Sequence, residues 1–225
     1  MNKIKVAFSV FVLASMMDII GLTFSIPTLI YIFKPLIILS LLLLYVFSSP
    51  KKQKWYVFAL IFSFLGDVFL MFSGELFFIA GLVSFLIAHV LFIKIVIYRI
   101  ENINFFKIIL SSILFLTLFG LLIFTLKESL HEMLGPVIVY GLTISTFGAV
   151  SLIDFLNTKS KKSLLMLFGA VIFMISDSIL AINKFYSPAH VFEVTVMATY
   201  VLAQYFIYRS MVINVGPVGF EPTTS

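Results

Sequence analysis

Four ionisable side chains stand inside runs that are otherwise apolar: Asp18, Lys34, Asp67 and Asp177. A charge in the hydrocarbon of a bilayer costs at least a few kcal/mol, so such residues mark proton relays, substrate pathways or buried ion pairs. Helices of alternating direction, rising about 1.5 Å per residue, put all four into one layer. Asp67 falls about a turn before the end of its run, and Asp177 takes the corresponding place in another. Asp18 sits near the end of the first run, close enough to the interface to be solvated. Lys34 lies one to two turns into the second. His89 and Gln204 come about two turns deeper. Ser63 and Asp67 are four residues apart, as are Phe85 and His89, and Tyr200 and Gln204, so each pair shares a helix face. This arrangement is open to three readings: proton chemistry at the aspartates, an ion pair of Asp67 with Lys34 that fixes helix register, or a proton-coupled transport site.

The elements that must hold these residues follow from composition. The chain of 225 residues is 62% hydrophobic and only 11% charged, where soluble domains are nearer one half and one quarter. Apolar runs long enough to span about 30 Å of hydrocarbon fall near 6–24, 28–47, 55–72, 76–98, 105–126, 134–153, 163–182 and 190–211. The fold expected is all-α, a polytopic membrane bundle of about eight transmembrane helices in one domain over residues 1–213. The opening "MNKIK" is followed by no small-residue cleavage site, so the first run reads as a retained helix. The short breaks between runs imply antiparallel neighbours. Membrane strands would alternate apolar and polar residues, and these runs do not.

With the N-terminus cytoplasmic, the cytoplasmic loops and ends collect most lysines and arginines, Lys51, Lys52, Lys54, Arg99, Lys107, Lys159, Lys161 and Lys162 among them, while the far side receives Lys127 and Lys184. An even number of helices then leaves both termini cytoplasmic. The net charge of +5 is therefore a topology signal, and no nucleic-acid partner is expected. "FSFLGDVFLM" at 62–71 and "FMISDSILAI" at 173–182 each carry an aspartate late in the third and seventh helices, which would suit a four-plus-four duplication. Gly141, Ser145 and Gly148 offer a small-residue face on the sixth helix. Residues 214–225, polar and ending in "GFEPTTS", read as a disordered tail outside the functional protein.

Several chemistries are excluded. The absence of cysteine removes disulfides, thiolate metal sites and a cysteine nucleophile. His89, His131 and His190 lack the spacing of a zinc site, and neither a G-x-S-x-G nor a phosphate-cradling glycine loop occurs.

"KPL" at 34–36, "FSFLGDVFLM", "GLVSFLIAHVLFI" at 81–93, "GAVIFMISDSILA" at 169–181 and "YVLAQYFIYRS" at 200–210 follow one another in an order that resembles the YhhN family, whose characterised members include lysoplasmalogenases. The resemblance implies hydrolysis of the vinyl ether bond of a lysophospholipid substrate in the bilayer. The products are a fatty aldehyde and glycerophosphoethanolamine or glycerophosphocholine, and no metal or other cofactor is needed. Vinyl ethers yield to acid: a proton adds to the alkene carbon remote from oxygen, and water captures the oxocarbenium ion. Two carboxyl groups in one desolvated layer can divide the acid and base roles, much as in glycosidases. On this reading Asp67 and Asp177 form the catalytic pair. Lys34 binds the phosphate or holds one aspartate ionised, and His89, Tyr200, Gln204 and Tyr140 position water or the glycerol oxygens. The competing expectation is a proton-coupled transporter or lipid-binding membrane protein. The membrane expected is a bacterial plasma (inner) membrane.

Overall fold

The computed structural model describes residues 3–101 and 104–213; the tail at 214–225 lies outside the described residues. Eight α-helices follow in order: α1 (Lys3–Thr23), α2 (Pro27–Ser48), α3 (Lys54–Leu70), α4 (Glu75–Ile97), α5 (Phe105–Leu130), α6 (Leu134–Thr158), α7 (Lys161–Phe185) and α8 (His190–Val212). A three-residue 3-10 turn, His131–Met133, joins α5 to α6, and no strand occurs among the described residues. By length and hydropathy, six helical stretches suit a membrane crossing. The run from α5 to α6 counts there as one stretch of 54 residues. α3, with 17 residues, falls short because the polar "SSPKKQK" and "SGE" segments enclose it.

Local chemistry sets the helix ends. Pro27 opens α2, where its fixed φ fits and its missing N–H is no loss. The Asn104 side chain accepts from the Phe106 N–H at the start of α5, and the Ser160 hydroxyl accepts from Ser163 N–H at the start of α7. Gly74, at φ 122°, turns the chain between α3 and α4 in a region closed to most side chains. Pro35, inside α2, cannot donate to the Tyr31 carbonyl, which breaks the backbone ladder beside Lys34.

Successive helices pair as hairpins, α1 with α2, α3 with α4, α5 with α6 and α7 with α8; α4 also packs on α6, and α8 on α1 and α2. The surface is turned inside out relative to a soluble domain. Leu76, Phe105, Ile113, Leu121 and Phe124 are exposed, while Asp18, Asp67, His89 and Gln204 are buried. That is the distribution hydrocarbon demands, since it solvates Leu and Phe and cannot solvate a carboxylate. With the apolar stretches it makes the chain an integral multi-pass membrane protein.

Close helix contact depends on small residues. Phe119 and Phe115 of α5 press on Gly141 and Gly148 of α6, so the small face of α6 receives aromatic rings. A Cβ at Gly169 of α7 would stand 2.6 Å from Ile207 of α8, whereas one at Gly120 would meet nothing within 4 Å. Gly169→Leu therefore forces α7 and α8 apart and should cost about 1–3 kcal/mol. Gly120→Ala should leave stability unchanged or slightly raised. Thermal unfolding in detergent separates the two; equal melting temperatures would contradict the packing described.

Candidate active site

Two tyrosine–aspartate pairs form the centre. In the first, Tyr200 of α8 donates its hydroxyl to Asp67 Oδ2 on α3 at 2.8 Å. One turn along both helices, Gln204 Nε2 donates to Ser63 Oγ at 3.2 Å and, more weakly, to the Tyr200 hydroxyl at 3.4 Å. The two i, i+4 pairs thus interlock, Ser63 and Asp67 facing Tyr200 and Gln204. Asp67 is only 4% exposed, so this contact joins α3 to α8 in the interior of the bundle. In the second pair, Tyr140 of α6 donates its hydroxyl to Asp177 Oδ2 of α7. Asp177 and Tyr140 line a cavity of about 40 Å³ whose other walls include Leu82, Phe85, Val137 and Phe185. Two lone polar groups facing an apolar wall give a space wide enough for water and closed to an alkyl chain unless side chains move.

Phe85 separates the pairs. Its ring fills the notch left by Gly66, where a Cβ would come within 2.6 Å of it. It packs edge-on against Tyr200 at 5.8 Å between centroids and also walls the Asp177 cavity. The aspartates are not hydrogen-bonded to each other, yet Tyr200 lies within electrostatic reach of both.

Of the other residues singled out from sequence, Lys34 lies within electrostatic reach of Asp67 and Asp18. It makes no ion pair within 4 Å among the described residues, where the one such contact is His190 with Glu193. His89 is fully buried. Its Nδ1 is 2.8 Å from the Phe85 carbonyl; since a carbonyl only accepts, the ring proton is on Nδ1. Nε2 then presents a lone pair, with no hydrogen-bond partner among the described residues. Phe173 packs on the ring at 4.5 Å and Tyr140 at 5.7 Å, so His89 stands behind the Tyr140–Asp177 pair and bonds to neither aspartate.

Asp18 corrects the sequence reading. It is not solvated at the interface: its exposure is 0%, and neither carboxylate oxygen has a hydrogen-bond partner among the described residues. The signal was present in the spacing. Ala7, Phe11, Ala14, Asp18 and Gly21 recur at three and four residues and form the buried face of α1. Ser63 as the partner of Gln204 and Phe85 as a divider carried no comparable signal, since a serine and a phenylalanine are ordinary in such runs. No group of three or more metal-ligating side chains occurs among the described residues.

Carboxyl, phenol and amide groups hydrogen-bonded to one another across helices, inside a helical membrane bundle, define a candidate polar site. The model of the YhhN family matches residues 29–211, and the chain belongs to that family. It is similar to lysoplasmalogenase TMEM86A of Homo sapiens and of Bos taurus, with 25% identity over 186 residues, covering 77% of this chain and 71% of each relative. No solved structure matches it.

The two pairs lie on different helices but share Phe85 between them, and Tyr200 is in electrostatic reach of both aspartates. Tyr200→Phe and Tyr140→Phe each remove one donor from a carboxyl group and should each cost about 1–3 kcal/mol of stability. In the double variant the cost should depart from the sum by about 0.5 kcal/mol or more. Melting in detergent measures this; simple additivity would mean the two pairs act independently.

Proposed function

We propose that this chain is a membrane-embedded hydrolase that cleaves the vinyl ether bond of a lysoplasmalogen, releasing a fatty aldehyde and a glycerophosphodiester. The observation that carries the reading is the placing of Asp67 and Asp177, each beneath a tyrosine hydroxyl and in electrostatic reach of Tyr200, in a chain related to proteins named lysoplasmalogenase. A vinyl ether offers no electrophilic carbon to a nucleophile and needs a positioned acid. One aspartic acid transfers its proton to the alkene carbon remote from the ether oxygen. The other, as carboxylate, faces the resulting oxocarbenium ion and takes a proton from the water that adds to it. The hemiacetal then collapses: the first aspartate, now a carboxylate, takes the hemiacetal hydroxyl proton, the carbon–oxygen bond to glycerol breaks, the second aspartic acid gives its proton to the glycerol oxygen, and the aldehyde departs. One water is consumed and both carboxyl groups return to their starting states.

Tyr200 and Tyr140 orient one carboxyl each, and Gln204 holds Tyr200. Lys34 supplies positive charge on the α1–α3 side, suited to the substrate phosphate. His89 Nε2 is an acceptor for water. The apolar walls at Leu82, Val137 and Phe185 suit an alkenyl chain, provided Phe85 or its neighbours swing aside. In this reading all eight helices cross a bacterial plasma membrane with both termini cytoplasmic, and the aspartate layer lies on the far side of the midplane. A four-plus-four duplication is supported by reciprocal packing, α4 on α6 and α8 on α2.

Aldehyde release tests the reading. Detergent-purified protein should produce aldehyde from a 1-alkenyl lysophospholipid and none from its 1-alkyl analogue. Asp67→Asn and Asp177→Asn should each lower turnover by about 10²–10⁴-fold, the usual weight of general acid or base catalysis, without loss of fold. A folded wild-type chain inactive on the alkenyl lipid would favour the transport or lipid-binding alternative. Activity retained in both variants would remove the aspartates from the mechanism.

A further inference from the structure

The opposite, lysine-rich end of the bundle holds a second polar feature that the aspartate layer does not use. The α2–α3 turn, the segment after α4, the start of α7 and the end of α8 converge around a cavity of about 570 Å³, within the range of small-ligand sites. Lys51, Arg99 and Lys162 line it, with Ser49, Gln53 and Tyr98 as further polar walls. Lys5, at the same end of the bundle, simply extends into solvent, but Arg99 is folded back and partly buried. Its Nη1 donates to Ser210 Oγ at 3.3 Å and its Nη2 to the Met211 thioether at 2.9 Å. Ser210 in turn donates to the Lys162 carbonyl at 2.8 Å, which ties the guanidinium to both α7 and α8.

A thioether is a poor acceptor for a guanidinium, which elsewhere takes carboxylate or phosphate in a fork. No carboxylate lies within 4 Å of Arg99 among the described residues. Asp154 is in electrostatic reach of both Arg99 and Lys162, so one acid is shared between two bases, and Lys51 adds a third. Burial lowers the Arg99 pKa, and Asp154 offsets that only in part. The cavity is thus short of negative charge, and the Arg99 guanidinium is already held in place.

We propose that this cavity is a binding site for a phosphate-bearing anion, held by Arg99, Lys162 and Lys51. Ile95, Met211 and Pro50 on its walls would accommodate the first carbons of a glycerol backbone. Phosphate as a soluble group and phosphate as the headgroup of an anionic phospholipid share this chemistry. The site is separate from the aspartate layer and does not depend on hydrolysis there.

The full chain, purified in neutral detergent, would be titrated with inorganic phosphate while thermal unfolding is followed. It would also be placed in nanodiscs of phosphatidylcholine with and without phosphatidylglycerol. Stabilisation by phosphate, by phosphatidylglycerol or by both is expected. Arg99→Gln and Lys162→Gln should each raise the half-saturating concentration about fivefold, from ~1 kcal/mol per basic residue. Lys5→Gln, which removes an exposed charge from the same end, should leave it unchanged. Arg99→Lys keeps the charge and should retain most binding; if Arg99→Gln does not fold, Arg99→Lys and Lys162→Gln carry the comparison. Response to phosphate alone assigns a soluble ligand, and response to phosphatidylglycerol alone assigns a headgroup. No stabilisation of the wild type, or stabilisation that Arg99→Gln and Lys162→Gln leave intact, overturns the proposal. So does binding abolished by Lys34→Gln and kept in Arg99→Gln, which belongs to the aspartate layer.

Discussion

Hydrocarbon offers a polar side chain nothing to bond to, and this constraint governs the architecture. Where a carboxyl group in the bundle is met by a group from another helix, helix pairing and site assembly are the same event. Asp67 on α3 meets Tyr200 on α8, and Asp177 on α7 meets Tyr140 on α6. The first of these bonds joins helices that the hairpin order alone would leave apart: α3 and α8 are far apart in sequence and are not among the closely packed helix pairs. Polar contact thus supplies long-range specificity, and apolar packing against lipid supplies little, because lipid tails are as apolar as leucine.

The fold was legible in the sequence wherever one variable decided it. Apolar runs set the helices to within a few residues, and the breaks "SIP", "SGE" and "NKFYSP" coincide with the turns. Helix direction and rise give each residue an expected depth, and on that basis Asp18, Lys34, Asp67 and Asp177 were expected in one layer. Depth, however, says nothing about rotation about the helix axis. Asp18 shows the limit: its height suggested solvent, while its burial follows from the azimuth it shares with Ala14 and Gly21. The pairing of particular partners was less legible still. Nothing in the spacing of Tyr140 specifies Asp177, because the partner depends on how α6 and α7 rotate against one another. The lysine-rich cavity illustrates the same point, since a basic loop looks alike whether its arginine faces water or folds back on α8.

The two pairs also differ in surroundings. Asp67 belongs to a network with Gln204 and Ser63, near Lys34 and Asp18, and is almost fully buried. Asp177 has one tyrosine and an apolar cavity beside it. One carboxyl therefore sits among charges and dipoles and the other among hydrocarbon side chains. Unequal surroundings are what separates the tasks of two chemically identical groups.

Phe85 has a mechanical consequence. A ring that is at once the plug of the Gly66 notch, the bearing surface of Tyr200 and a wall of the Asp177 cavity cannot turn for one compartment alone. Widening the cavity slackens the support behind the first tyrosine, and seating that tyrosine narrows the cavity again. The two compartments are geared through this uncharged ring together with Phe173, which packs on it, on Tyr200 and on His89.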